Sequence, residues 1–341
     1  MLKSGRQGTI TSPDTFSSNP TLQHPQSREA PTERWGFSRV LPAVRSTPVL
    51  GALDPTAPTP LGHDSLLRRV AAEPVTALLV QRALVMEVAH PMVGAGVDHH
   101  SGFRTQPYRR AWATADAALR LLFGDDGTAR GAARQIYAVH DHINGELGHD
   151  VGPWPQGTAY SAHDAELLTW VWATLVDTAL VGYERWVRPL RADEADAFYG
   201  EMKAMARFLG IPDSLLPAGR TEFAAYLEHV LDDPALGSGT VSRALARQIL
   251  WYRHWSVPAP VVRLERVLAL ATLDPRLLER LDLHPSPSDE ALGRRVDGWL
   301  AAGYRHLPRP GTSLPRLYVR LRAVRVPVGS GVGRRLRRRW G

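Results

Sequence analysis

A helical periodicity that runs through most of the chain is the feature that most constrains its fold. From about residue 64 to about residue 300, apolar residues recur at spacings of three and four, as Leu167, Val171 and Leu175 do. Glycines and prolines separate the periodic segments. The sequence contains no long apolar–polar alternation and no Asn-Gly turn between two apolar runs. We therefore predict an all-α fold in one large helical domain.

Individual helices can be predicted from this pattern and from their end signals. Ser161 and Asp164 fit a capping box at the start of the clearest helix. Another helix is expected to stop at Gly210, with Pro212 beyond it. The remaining predicted helices are Ser65–Ala72, Val75–Ala89, Tyr108–Phe123, Ala129–Asn144, Asp193–Leu209, Arg220–Leu231, Ser242–Tyr252 and Pro260–Ala271.

Composition divides the chain into three parts. Residues 1–62 form a Pro/Ser/Thr-rich arm that we predict to be disordered, with nine prolines in the first 60 positions. Residues 63–304 form the predicted helical domain. Residues 305–341 form a basic tail with eleven arginines and no carboxylate, so the rest of the chain has a net charge of 7 − 11 = −4. This acidic body argues against nucleic-acid binding by the core, whereas the tail is a candidate for contact with anionic membrane.

The sequence shows no recognisable targeting signal, so we expect a soluble, cytoplasmic protein. The basic tail could in addition bring this protein into peripheral contact with a membrane. No apolar segment follows Lys3 and Arg6, as a signal peptide would require. The longest apolar stretch, 167–181, has about 15 residues, which is short of the ~20 needed to span a bilayer. The oligomeric state cannot be derived from the sequence.

The chain contains no cysteine, which excludes thiolate catalysis, thiolate-bound zinc, iron–sulfur clusters and covalent c-type haem. Histidine is therefore the main reservoir of metal ligands. Seven of the 13 histidines fall between positions 90 and 163: His90, His99, His100, His140, His142, His149 and His163.

Three segments in and near this region combine histidine, arginine and helix-breaking residues. A helix is expected to end at His90-Pro91 and to lead into a glycine-rich turn before His99. Arg110 and Thr114 are four residues apart and share one helix face. His140 lies near the end of a predicted helix and begins the segment His140-Asp141-His142-Ile143-Asn144-Gly145.

The order of these and further motifs resembles the family of rubber oxygenases (latex-clearing proteins) and MpaB-type oxygenases. The resemblance covers about residues 66–255. The motifs are Ala89-His90-Pro91-Met92-Val93, His100-Ser101-Gly102-Phe103, Arg110 with Thr114, His140-Asp141-His142-Ile143-Asn144-Gly145, Tyr160-Ser161-Ala162 and Trp170-Val171-Trp172-Ala173-Thr174-Leu175.

The resemblance implies a globin-like helical core with additional helices and one haem b. By that similarity His140 is the proximal iron ligand, and Arg110 and Thr114 lie beside the haem. His90 is a further pocket residue that the resemblance suggests. The implied activity is oxidation of a small apolar substrate with dioxygen, including oxidative C=C cleavage. Rubber oxygenases carry a lysine between the matching Arg and Thr, whereas this chain has Ala113, which puts rubber cleavage itself in doubt.

Other functions remain open at this stage. The first is a non-catalytic protein that binds haem or a hydrophobic ligand. The second is a di-iron carboxylate oxidoreductase, because Glu87/His90 and Glu146/His149 are Glu-x-x-His pairs, with Glu184 and Glu201 as further ligands. Gly148 predicts that the second pair lies in a loop, where the required spacing on a helix is lost. The third is a metal phosphohydrolase, which the dipeptide His140-Asp141 alone suggests.

Overall fold

The computed structural model describes residues 59–62, 64–100, 107–252, 257–308, 311 and 313–323, without the side chains of 107–111 and 323. Most of the predicted N-terminal arm, the segment Ser101-Gly102-Phe103 and the tail after residue 323 lie outside the described residues. All described residues belong to one structural unit.

Helices make up nearly all the regular structure of the described residues, which confirms the all-α prediction. The helices are α1 (Leu66–Ala71), α2 (Pro74–Ala77), α3 (Val80–Ala89), α4 (Pro91–His100), α5 (Pro107–Phe123), α6 (Asp126–His140), α7 (Ala165–Trp186), α8 (Ala192–Phe208), α9 (Arg220–Asp232), α10 (Thr240–Trp251), α11 (Ala259–Thr272), α12 (Pro275–Arg280), α13 (Pro287–Gly303) and α14 (Ser313–Ala323). Two three-residue strands, β1 (Asn144–Glu146) and β2 (Ala159–Ser161), pair antiparallel between α6 and α7.

The longest helix, α7, lies in the centre of the core. It packs against α2, α3, α8 and α13. Trp170 is fully buried, and its indole N–H donates to the Met86 carbonyl oxygen at 3.1 Å, which satisfies the polar atom inside the core. By length and composition α7 is the one described helix that could cross a membrane, but 56% of its most apolar window is buried inside the protein. Its apolarity is therefore explained by its central position.

The start of α7 differs from the prediction. The helix is capped by Asp164, whose carboxylate accepts from the backbone N–H groups of Glu166 and Leu167 at 2.9 and 3.3 Å. Ser161 belongs instead to β2, and its hydroxyl accepts from the His163 N–H. The predicted Ser161 capping box is therefore wrong, because pairing with β1 keeps Ser161 in an extended conformation.

The glycine-rich turn predicted after His90 is also wrong, because residues 91–100 form helix α4. Glycine inside a helix costs about 0.5–1 kcal/mol relative to alanine, but it permits close packing. A Cβ atom on Gly94 would lie 3.1 Å from Ser242 Oγ on α10, and one on Gly96 would lie 3.2 Å from Ile143. These glycines let α4 approach α10 and the β-hairpin closely.

The end of α6 falls four residues earlier than predicted. Asp141 is the C-cap, and Ile143 N–H donates to the His140 carbonyl at 2.9 Å. The chain then enters β1, where Gly145 faces Tyr160. A Cβ atom on Gly145 would lie 2.8 Å from the Tyr160 hydroxyl oxygen, so a larger residue at this strand position would displace the Tyr160 ring. The hairpin brings the segment before α7 back to the end of α6.

Candidate functional site

Helices α5 and α6 form a tightly connected pair that carries the predicted site residues. Asp125 caps α6 by accepting from the Thr128 N–H at 2.8 Å, and Gly124 N–H donates to the Arg120 carbonyl at 3.0 Å. A Cβ atom on Gly124 would lie 2.4 Å from that carbonyl oxygen, so the turn requires glycine. The two helices leave this turn and pack against each other.

Arg110 and His140 lie at the same end of the pair, away from the turn. Arg110 precedes Gly124 by 14 positions and His140 follows it by 16. At about 1.5 Å per residue, these positions are roughly 21 Å and 24 Å from the turn along their own helices. Only the backbone of Arg110 is described, so its predicted contact with a cofactor is not tested. Thr114, one turn further along α5, is exposed.

His140 is half-buried and is the last residue of α6. The His163 ring lies edge-on to the His140 ring, with 6.0 Å between their centroids, and it lies 5.4 Å from the Tyr137 ring. His163 Nε2 is 2.8 Å from Asp141 Oδ1. The structure thus gathers Tyr137, His140, Asp141 and His163 into one cluster, whereas His142, the competing ligand candidate, is exposed.

The sequence analysis did not predict that His163 and Tyr137 belong to this cluster. His163 is 23 positions after His140, and the β1–β2 hairpin is what brings the two together. The signal available in the sequence was the position of His163 directly after Tyr160-Ser161-Ala162. Burial raises the pKa of the Tyr137 phenol, whose hydroxyl donates to the Leu209 carbonyl at 3.0 Å. Tyr137 therefore enters the cluster as a neutral ring.

Large apolar side chains are uncovered at this end of the pair. Val139, beside His140, is 53% exposed, and Trp112 on α5 is 49% exposed. Ala113, which stands at the position of the lysine in rubber oxygenases, is also exposed. Exposed apolar side chains are candidates for contact with an apolar ligand, and of these Val139 is the one adjacent to His140 in the chain.

His90 has a structural role between α3 and α4. It sits between α3 and α4, and its Nδ1 atom accepts from the Met92 N–H at 3.3 Å, as the cap of α4. Its ring is 1% exposed and lies 5.4 Å from the Trp154 ring. Burial lowers the pKa of His90 to about 3, so the ring is neutral in the folded protein. This geometry accounts for His90 without a ligand, and a pocket role for it stays a prediction.

A small cleft lies between α4, the loop after β1 and the start of α10. Its volume is about 180 Å³, and its lining includes Ala95, His99, His149, Val241 and Ser242. Ligand pockets are more often about 300–1,000 Å³, so this cleft is too small for a haem. Neither His140 nor Thr114 lines it. The structure therefore separates the cleft from the α5–α6 site.

The Glu and His residues considered as ligands of a di-iron site do not lie together in the described part of the structure. No group of three or more His, Asp or Glu side chains that could hold a metal ion occurs among them. Glu146 lies in β1 and His149 in the exposed loop beyond it, so this pair is not on a helix, as predicted. Glu201 accepts instead from the backbone N–H groups of Leu66 and Leu67 at the start of α1.

The described residues form an almost entirely helical protein in which Tyr137, His140, Asp141 and His163 lie together at the end of α6. Comparison with known families gives the class of this protein, because the model of the ER-bound oxygenase mpaB/B'/Rubber oxygenase catalytic domain matches residues 67–302. The chain belongs to this oxygenase family, and it carries an oxygenase catalytic domain. No curated protein and no solved structure matched the chain.

Proposed function

We propose that the protein is a haem-b-dependent oxygenase that acts with dioxygen on a small apolar substrate. The observation that carries the proposal is the position of His140, half-buried at the end of α6 beside the exposed Val139 and edge-on to the His163 ring. Membership of an oxygenase family supports the reaction class. One reaction of this class is the oxidative cleavage of a C=C bond.

The donor set at this site fits a haem. A neutral imidazole is the usual axial ligand of haem iron where no cysteine is available, and this chain has none. The macrocycle is flat and apolar, and Val139 offers exposed apolar surface beside His140. His140 would bind the iron, and Arg110 would pair with a propionate. The bound haem would supply the iron that activates dioxygen.

The other residues of the cluster orient His140. The His163 ring limits rotation of the His140 ring because it stands edge-on to it, and Asp141 in turn holds His163 by a hydrogen bond. Such support of a ligating histidine sets its ring orientation. Tyr137 packs against the His163 ring and so helps to hold it in place.

In this proposal, helix α5 lines the site opposite His140 with its polar side chains. The Thr114 hydroxyl can donate a hydrogen bond to a group beside the iron, because it lies one turn from Arg110 on the same helix. Ala113 provides no side chain that could bind iron. The small Ala113 side chain would leave room for dioxygen beside a bound haem, and we propose that the substrate is a small molecule, not a polymer such as rubber.

The decisive experiment compares haem retention in two variants, His140→Ala and His142→Ala. His142 is the matched control, since it is an exposed histidine two positions away. The wild type and His142→Ala, purified after expression with added haem, should show a Soret band and about one iron per chain. In His140→Ala both the Soret band and the iron content should fall at least about tenfold, because the proposed protein ligand of the iron is removed. Equal retention in the two variants would exclude His140 as the ligand.

The alternative function is a haem or ligand carrier that performs no reaction. The two functions differ in oxygen consumption, so an oxygen electrode with reduced holoprotein and candidate unsaturated substrates separates them. Substrate-dependent uptake that disappears in His140→Ala supports the oxygenase. Haem binding with no uptake on any unsaturated substrate would favour the carrier.

A further inference from the structure

Helix α14 presents an apolar face to the outside of the protein. Leu314, Leu317 and Leu321 are 57%, 51% and 64% exposed. With 3.6 residues per turn, the three leucines fall within about 60° of the helix circumference. They form the apolar face of an amphipathic helix, and we call them the leucine face.

The opposite side of α14 holds the helix on the protein. Val319, which lies nearly opposite the leucine face, is buried with Ala72 and Phe123. Tyr318 donates to Asp116 on α5 at 2.7 Å, and Arg322 is 3.3 Å from the same carboxylate. The helix is thus attached through one side, which turns the leucine face outward.

Positive charge and an aromatic residue border the leucine face. Arg320 is exposed on α14, and the 18 residues after the helix contain six arginines and no carboxylate. Trp112 on α5, 49% exposed, stands edge-on to Tyr318 with 6.1 Å between the ring centroids. Leucines bordered by arginine, tryptophan and tyrosine match the chemistry of a lipid–water interface, where apolar tails lie below anionic headgroups.

We propose that α14 binds the surface of an anionic phospholipid bilayer, with the leucine face inserted at the headgroup boundary. The charge of the segment selects lipid over a second copy of the chain, because two such basic helices would repel each other. The proposed attachment is peripheral, because α7, the one helix among the described residues that is long and apolar enough to span a bilayer, is occupied by the core. It places Trp112, and with it α5, next to the lipid phase, from which an apolar substrate partitions.

The chain lacks cysteine, so a single introduced thiol reports on one position. The full-length variant Leu317→Cys, labelled with an environment-sensitive fluorophore, is mixed with vesicles of phosphatidylcholine alone or of phosphatidylcholine with phosphatidylserine. Val261→Cys on α11 is the matched control, since Val261 is 39% exposed. The dye at 317 should shift to the blue with the anionic vesicles only, and the dye at 261 should not shift.

Flotation of the same vesicles with unlabelled protein measures the affinity. The variant Leu314→Ser/Leu317→Ser/Leu321→Ser should bind at least about tenfold more weakly, because less apolar surface enters the interface. Arg320→Gln should weaken binding by about fivefold, since each basic residue near the surface contributes about 1 kcal/mol. The triple variant Val80→Ser/Leu175→Ser/Val261→Ser, at exposed apolar positions elsewhere, should bind like the wild type.

Three outcomes would overturn the proposal. The first is wild-type protein that ignores anionic vesicles. The second is a dye at 317 that is already in an apolar environment before vesicles are added, which means that another part of this chain covers the leucine face. The third is a wild-type dimer that the leucine variant converts to a monomer, which means that a second copy does. None of these outcomes bears on haem binding at His140.

Discussion

Two tryptophans show how different the two sides of this molecule are. Trp170 on α7 is fully buried and donates its N–H to a backbone carbonyl, whereas Trp112 on α5 is 49% exposed. The first belongs to the core formed by α3, α7 and α10. The second stands where α5, α6 and α14 leave apolar and ionisable side chains uncovered. The core region holds the fold together, and the α5–α6–α14 region carries the sites that we propose for a cofactor, a substrate and a membrane surface.

Stability should reflect this difference most strongly at the two tryptophans themselves. Trp170→Ala removes a large buried side chain and leaves a cavity, which should lower the free energy of unfolding by about 4 kcal/mol. Trp112→Ala should cost under about 1 kcal/mol, because half of its surface already contacts water. Urea unfolding followed by circular dichroism measures both. Equal losses would mean that α5 is as much a part of the core as α7.

Acid should destabilise the protein through buried His90. Its pKa is about 3 in the folded protein, against about 6.5 in the unfolded chain. Below about pH 6.5 the unfolded chain takes up a proton that the folded protein cannot, so stability falls as the pH falls, by about 3 kcal/mol at about pH 4. His90→Asn keeps an acceptor for the Met92 N–H but cannot be protonated. The His90→Asn variant should therefore not show the loss of stability that protonation of His90 causes at low pH.

Urea unfolding across about pH 4–7 tests the His90 effect. The matched control is His142→Asn, since His142 is exposed on the α5–α6 side and should leave the acid slope unchanged. An unchanged slope in His90→Asn would show that another group carries the acid sensitivity.

The attachment of α14 to α5 should depend on Asp116. This carboxylate accepts from Tyr318 and Arg120, and burial together with that hydrogen bond raises the pKa of Tyr318 to about 12. Asp116→Ala should lower the free energy of unfolding by about 1 kcal/mol. It should also speed tryptic cleavage after Arg320. Asp213→Ala, which breaks an exposed ion pair with Arg207, should change neither. Unchanged cleavage in Asp116→Ala would mean that apolar contacts alone hold α14.

Thr114 should matter least for stability. Thr114→Val keeps the shape of an exposed side chain, so the free energy of unfolding should change by under about 0.5 kcal/mol. If the hydroxyl acts beside the iron, substrate-dependent oxygen uptake should fall by about tenfold, which corresponds to one lost hydrogen bond. Thr221→Val on α9 is the matched control, since Thr221 is also exposed. Full activity in Thr114→Val would remove Thr114 from the site.

Helix positions could be predicted from the sequence because their signals are local. The predicted helix Ser65–Ala72 is confirmed as α1, which Ser65 caps by accepting from the Arg68 N–H, and α8 ends before Gly210, whose φ of 85° favours glycine. The failures occurred where another element competes for the same residues. Ser161 pairs in a strand instead of capping α7, and Gly94 and Gly96 stay helical because α10 and the hairpin pack against them.

For the candidate site too, some features could be predicted from the sequence and others could not. The order of its motifs along the chain predicted His140 and the oxygenase family, and the family match over 67–302 confirms the family. The partners of His140 could not be predicted, since His163 reaches it only through the β1–β2 hairpin. The role of His90 as a buried helix cap also required the structure, because a histidine before proline has the same sequence in either role.

The sequence by itself determined the helical class, the family and the absence of thiolate chemistry, because these depend on residue types and on short-range spacing. Only the tertiary structure decided which histidine rings meet, which apolar helix is core and which leucines face outward. The physical reason is that burial depends on contacts between segments far apart in the chain. Apolar residues recur at spacings of three and four in both α7 and α14, and the elements packed around each helix make one a core and leave the leucines of the other at the surface.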